Sequence, residues 1–140
     1  MFETFDHTAD VGLRARAADL NTLFEESARA MFSVLAGDLD AVRPLEEVAI
    51  RLEPDDLEAL LRSWLSELLY IFHVRKLLLS EFSVSIDDSH DERGLLATAR
   101  GEPLDLVRHK ADVEVKAVTW HGLKVERTAD GWLAEVIVDI

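Results

Sequence analysis

The chain has 140 residues, almost half of them apolar, the size and composition of one folded domain with a core of its own. It contains no cysteine, which excludes disulfides, thiolate metal sites, iron–sulfur clusters and cysteine nucleophiles. With 28 acidic and 15 basic residues the net charge is −13, a field that repels phosphate backbones, so no autonomous nucleic-acid binding is expected and basic proteins or cations are the favoured partners.

Met1–Asp6 show no basic region followed by an apolar run, so a signal peptide is not expected. The longest apolar stretch, around Leu68–Phe72, falls far short of the roughly 20 residues a membrane span needs. A soluble, cytoplasmic protein with no membrane partner is the expectation.

The pattern of the chain predicts a short strand over Phe2–Phe5, then a half-buried strand in which Val11, Leu13, Ala15 and Ala17 alternate with Gly12, Arg14 and Arg16. Asp19 is placed to cap a helix running to about Leu35, with Leu20, Leu23, Phe24, Ala28, Met31 and Leu35 as its apolar stripe and Gly37 at its end. Val48, Ile50 and Leu52 alternate in the next strand, which Pro54 is expected to stop. Asp55 and Glu58 stand at capping-box spacing before a second helix, whose broad stripe includes Leu57, Leu60, Leu61, Trp64, Leu68, Ile71 and Phe72; His73 is expected to cap its end. Phe82–Ile86 and Leu95–Arg100 read as strands around a polar turn, the second broken by Gly101-Glu102-Pro103. Val113–Glu126 and Trp132–Asp139 read as a long C-terminal hairpin with an Asp130-Gly131 turn. Two amphipathic helices packed on about seven mostly antiparallel strands make an α+β fold, one domain over residues 1–140.

Chemistry concentrates at the two ends of this pattern. Asp10 stands at the head of the second strand and Asp139 at the foot of the last, beside Ile140. If the fold joins those ends, two carboxylates and a terminal or main-chain oxygen of Ile140 converge. Such hard oxygens suit calcium or magnesium, and packed carboxylates repel one another without a cation. The plainer reading is that each carboxylate caps a turn or faces water. His7 and His121 lie near strand ends, where either can orient a carboxylate or move a proton, although a histidine in such a place is more often structural. Asp38 and Asp40 can add ligands but lack an EF-hand pattern, and turn chemistry is favoured for them. Ser89-His90-Asp91 has the residue types of a triad, but consecutive in a turn, an arrangement without catalytic meaning. Lys124 is a candidate partner contact. No Gly-rich phosphate loop or nucleophile elbow occurs, so no catalytic residues are assigned and the chain is not expected to be an enzyme. The rival is a metal-dependent hydrolase built on Asp10, Asp139 and His7 or His121.

Six segments then stand in a recognisable order: His7-Thr8-Ala9-Asp10-Val11-Gly12, Leu68-Leu69-Tyr70-Ile71-Phe72, Ser80-Glu81-Phe82, Ala99-Arg100-Gly101-Glu102, Val115-Lys116-Ala117-Val118-Thr119-Trp120-His121 and Val138-Asp139-Ile140. In these the chain resembles the archease family over nearly its whole length. The resemblance implies a metal-binding, non-enzymatic activator of an RtcB-type RNA ligase, the enzyme that joins tRNA exon halves through a guanylate on a histidine. It implies promotion of that guanylylation and of multiple turnover, with a possible change in nucleotide use. It maps a metal, calcium by preference with magnesium or manganese as alternatives, onto Asp10, Asp139 and Ile140, and leaves His7, Asp38, His121 and Lys124 as supporting or partner-binding candidates. The family's link to tRNA methyltransferases and chaperones makes a chaperone-like modulator of tRNA-modifying enzymes the alternative. His73-Val74-Arg75-Lys76 and Trp120 depart from the family pattern, the former by placing positive charge after the second helix.

Overall fold

A computed structural model describes residues 1–7, 10–87, 89–111 and 113–140, with the backbone alone for residues 6 and 7. Two antiparallel sheets carry the fold. The first holds β1 (Phe2–His7), β2 (Asp10–Ala17), β8 (Gly131–Asp139) and, on the far side of β8, the short β6 (Ala117–Val118) and β7 (Lys124–Thr128). The second has β3 (Glu46–Asp55) and β4 (Leu77–Ile86) on either side of β5 (Arg93–Pro103). Helices α1 (Leu20–Ala36) and α2 (Leu57–Arg75) each touch strands of both sheets. The α+β expectation holds.

The core follows from the apolar periods. Leu23, Phe24, Met31 and Leu35 of α1 and Leu60, Leu61, Trp64 and Leu68 of α2 are buried against Leu13, Ala15, Val136 and Val138 of the first sheet and Val48, Ile50, Ala97 and Ala99 of the second. Trp64 is fully buried, and its indole N–H donates to the Phe24 carbonyl at 2.9 Å, so the ring is accommodated without an orphaned donor. No helix among the described residues is long and apolar enough to cross a membrane.

Asp19 caps α1 as expected, accepting from Thr22 N–H at 2.8 Å. At α2 the cap moves by one residue. Asp56 accepts from Ala59 N–H, while Asp55 accepts from Asp56 N–H, because β3 continues through Pro54 to Asp55 across a bulge. His73 does not follow α2 but lies in its last turn, with its Nε2 3.0 Å from the Val115 carbonyl. The end cap is Lys76, whose backbone is left-handed (φ 51°), a conformation that favours glycine. Gly101-Glu102-Pro103 does not break β5. Gly101 serves close approach instead: it faces the bulge between Leu79 and Glu81, where a Cβ would lie 1.7 Å from the Leu78 carbonyl oxygen.

The C-terminal hairpin is present, but its first arm is divided. Thr119 sends both its N–H and its hydroxyl to the Ile137 carbonyl, and the hydroxyl accepts from His121 N–H. Gly122 takes φ +65°. The chain therefore turns out of the ladder between β6 and β7, a local competition that alternation of residue types does not reveal.

Candidate functional site

The register of the first sheet sets its outward face in rows, since residues directly opposite on neighbouring strands point to the same side. At one end of the sheet the row runs His7–Asp10–Asp139–Ala117. The two aspartates expected to meet are direct cross-strand partners. Asp139 is held from both sides, because β2 pairs it on one flank while Lys116 N–H donates to its carbonyl at 2.7 Å on the other. It thus sits on a paired inner strand, a rigid place for a ligand. Lys116, one residue before β6, is the neighbour that spacing alone did not single out.

Among the described residues no three His, Asp or Glu side chains gather into a group able to hold a metal ion. The strand-end pair supplies two carboxylates, and a third protein oxygen would have to be main chain, such as the carbonyl of the adjacent, partly exposed Ile140. Like charges placed directly opposite in a sheet destabilise it, so hard oxygen donors in this arrangement suit a divalent cation.

The next row inward is Phe5–Gly12–Ile137. The Phe5 ring lies over Gly12 so closely that a Cβ there would come within 2.1 Å of it. Only glycine admits the ring, and the ring in turn lies under the Arg14 guanidinium, 4.7 Å from its centroid. The row after that is Glu3–Arg14–Glu135–Lys124, strictly alternating in charge. Arg14 bonds Glu3 at 2.8 Å and Glu135 at 3.0 Å, contacts that raise its pKa further, and Lys124 stands 3.8 Å from Glu135 and 3.6 Å from Glu126. Lys124 is therefore built into a surface ion row.

The remaining candidates fall elsewhere. The His7 side chain, with Thr8 and Ala9, lies outside the described residues. Asp38 caps a 3₁₀ turn at Leu39–Ala41, accepting from Asp40 N–H, the turn chemistry favoured above. His121 lies exposed in the turn after β6. Ser89 donates to Asp87 through both its N–H and its hydroxyl, in an exposed turn.

One ionic cluster was not foreseen. Glu102 at the end of β5 is 5% exposed and His109 4%. Glu102 accepts from Arg43 N–H and from the Arg108 guanidinium, and His109 Nε2 stands 3.4 Å from it. Asp105 N–H donates to His109 Nδ1 at 2.9 Å, which turns Nε2 towards the carboxylate and the Arg108 guanidinium, 3.1 Å away. Burial pushes the Glu102 carboxyl up, but these donors outweigh it and hold the pKa at about 2. The cluster fastens residues 105–109 over the Ala41 carbonyl, which Arg108 also bonds.

Comparison with known proteins places the chain. The Archease protein family (MTH1598/TM1083) matches residues 2–140. The protein archease of Methanopyrus kandleri is 42% identical over 139 residues, covering 99% of both chains, and that of Pyrococcus furiosus is 39% identical over 99% of this chain and 98% of its own. The solution structure of Methanobacterium thermoautotrophicum protein 1598 superposes with a TM-score of 0.86 at 40% identity, covering 99% and 98% of the two chains. The crystal structure of a Thermotoga maritima archease, described as a possible chaperone, shares the fold (TM-score 0.62, 18% identity, 100% and 98% covered). The chain belongs to the archease family.

Proposed function

We propose that this protein activates an RtcB-type RNA ligase by carrying a divalent metal on Asp10 and Asp139. The observation that carries the reading is the direct cross-strand pairing of the two aspartates at one end of the first sheet. Their like charge there, on strands fixed by the ladder, makes a preformed cation site rather than a flexible acidic loop. Ile140 contributes its main-chain oxygen. Calcium suits these donors, and magnesium or manganese are the alternatives. Held by Asp10 and Asp139, a divalent ion would supply positive charge able to attract phosphate oxygens.

The chain's own residues position and dock. Asp139 is held from two flanks, and the net charge of −13 draws this end towards the basic active site of a ligase that binds nucleotide and RNA. Activation then takes the form of faster guanylylation of the ligase histidine and repeated turnover. In this role the protein is not itself an enzyme.

The test is a ligation assay with the ligase substoichiometric to broken RNA, following guanylylated ligase with and without this protein. Faster guanylylation and multiple turnover are expected, with both lost in Asp10→Ala. Wild-type stimulation by a folded Asp10→Ala protein would sink the metal-site reading. No stimulation at several-fold excess, with divalent metal present, would leave the chaperone-like modulator as the better description.

A further inference from the structure

The two edges of the second sheet are treated differently. The outer edge of β4 is occupied by side chains of α1: Glu25 accepts from Val84 N–H at 2.9 Å, Asn21 accepts from Ile86 N–H at 2.9 Å, and Arg29 donates to the Ser80 carbonyl at 3.3 Å. This is a guarded edge, closed to further pairing. The outer edge of β3 has no such cover. Among the described residues no hydrogen bond from a side chain or from another strand reaches it, and Glu46, Glu47, Ala49, Arg51 and Glu53 are exposed.

The charge on that edge limits what can add to it. Between residues 46 and 58 there are six carboxylates and one arginine. Arg51 is 4.0 Å from Glu53, and Arg100 is 2.9 Å from Glu47. Glu46, Asp56 and Glu58 are in no ion pair among the described residues, while Asp55 stands opposite Arg93 in the ladder. A second copy paired antiparallel along β3 would bring the Glu46-Glu47 end against Glu53 and Asp55, carboxylate facing carboxylate. That register is unfavourable for a second copy, and the net negative edge favours a strand of opposite charge.

A trough of about 370 Å³ continues from β3 across the open face of the sheet, lined by Ala49, Arg51, Ser83, Ser85, Leu96 and Thr98. Leu96 at its centre, on β5, is 60% exposed and lies one strand inside the edge.

We propose that the outer edge of β3 is a second docking site, which takes an extended, lysine- or arginine-bearing segment of a partner protein as an added strand. Main-chain hydrogen bonds along Glu46–Glu53 supply the register, the flanking carboxylates select basic side chains, and Pro54 with its bulge ends the pairing. The site lies in the other sheet from the Asp10–Asp139 pair and does not depend on the metal reading.

The experiment is an NMR titration of the isotope-labelled full chain with a short peptide alternating lysine and threonine, beside the same peptide with glutamate for lysine. Shifts centred on the amides of 46–53 are expected for the basic peptide alone. Affinity should fall about tenfold in a Glu46→Lys, Glu53→Lys double variant, whose changes are exposed and spare the core, and should weaken with salt. Asp139→Asn should leave it unchanged. The proposal is overturned by shifts centred on Asp10 and Asp139, by an equal response to both peptides, by no response, or by a dimer in sedimentation that the double variant dissolves, which would assign the edge to a second copy.

Discussion

Two rows of one sheet face solvent a few residues apart and are built on opposite principles. In the Glu3–Arg14–Glu135–Lys124 row each charge meets its opposite on the neighbouring strand. In the His7–Asp10–Asp139–Ala117 row a carboxylate meets a carboxylate. Both rows cross β1, β2 and β8 in one register and differ in the side chains they carry and in the last strand, β7 for the first and β6 for the second. The first row is self-sufficient and glues four strands. The second sets two carboxylates directly opposite one another, and the proposed cation site rests on that pair.

The largest expected effect breaks the second row. On the proposed reading calcium should raise the Tm of the wild type, and Asp139→Asn should abolish that rise and reduce ligase stimulation to the unstimulated rate. Without metal the same variant should be slightly more stable, by about 0.2–1 kcal/mol, because a like-charge pair is removed. Calorimetry with and without calcium reads both signs at once. A variant that loses stability without metal and keeps the calcium response would show that the row is structural.

A countered carboxylate in the interior sharpens the contrast. Replacing Glu102 by alanine leaves Arg108 and His109 without their acceptor under the 105–109 segment and should cost about 1–3 kcal/mol in denaturant unfolding. Because the folded pKa is depressed to about 2 from an ordinary 4.5, the carboxylate's contribution is complete above that ordinary value and is lost as pH falls towards 2. Stability measured against pH should fall through that window in the wild type, and Glu102→Gln should flatten the fall.

Gly12 lies in the row between the two. Gly12→Ala drives a Cβ into the Phe5 ring, so the ring must leave its place under Arg14, at a cost of about 1–3 kcal/mol. Phe5→Ala in the same chain should recover part of that loss, a non-additivity that a double-mutant cycle measures. Full additivity would mean that the ring moves aside freely.

How much of this was legible in the sequence follows from how local each determinant is. The apolar periods gave both helices and the alternation of β2, since burial patterns are carried by neighbouring residues. Asp10 and Asp139 were singled out as hard-oxygen donors at strand ends, but their pairing is a tertiary fact that needed the register. Competing local bonds hid the division of the last hairpin: the Thr119 hydroxyl and Gly122 draw the chain out of a run that otherwise alternates. Gly101 read as a breaker because close approach and chain reversal use the same residue. His109 and Glu102 were missed for another reason. A buried ion cluster joins residues from β5, from the segment following it and from Arg43, and nothing in a charged residue's own neighbourhood says that it is inside.

The smallest effect belongs to the first row. Arg14→Met keeps an apolar stem beside Phe5 and removes the charge shared by Glu3 and Glu135. The row is partly exposed, so Tm should fall only modestly, less than in Gly12→Ala, and the difference from wild type should shrink as salt is raised. Calcium binding at Asp10 and Asp139 should stay as it was, because Gly12 and Ile137 separate the rows. If Arg14→Met instead weakened calcium binding and the loss persisted at high salt, the two rows would be mechanically joined through Phe5, and the charge row would belong to the site.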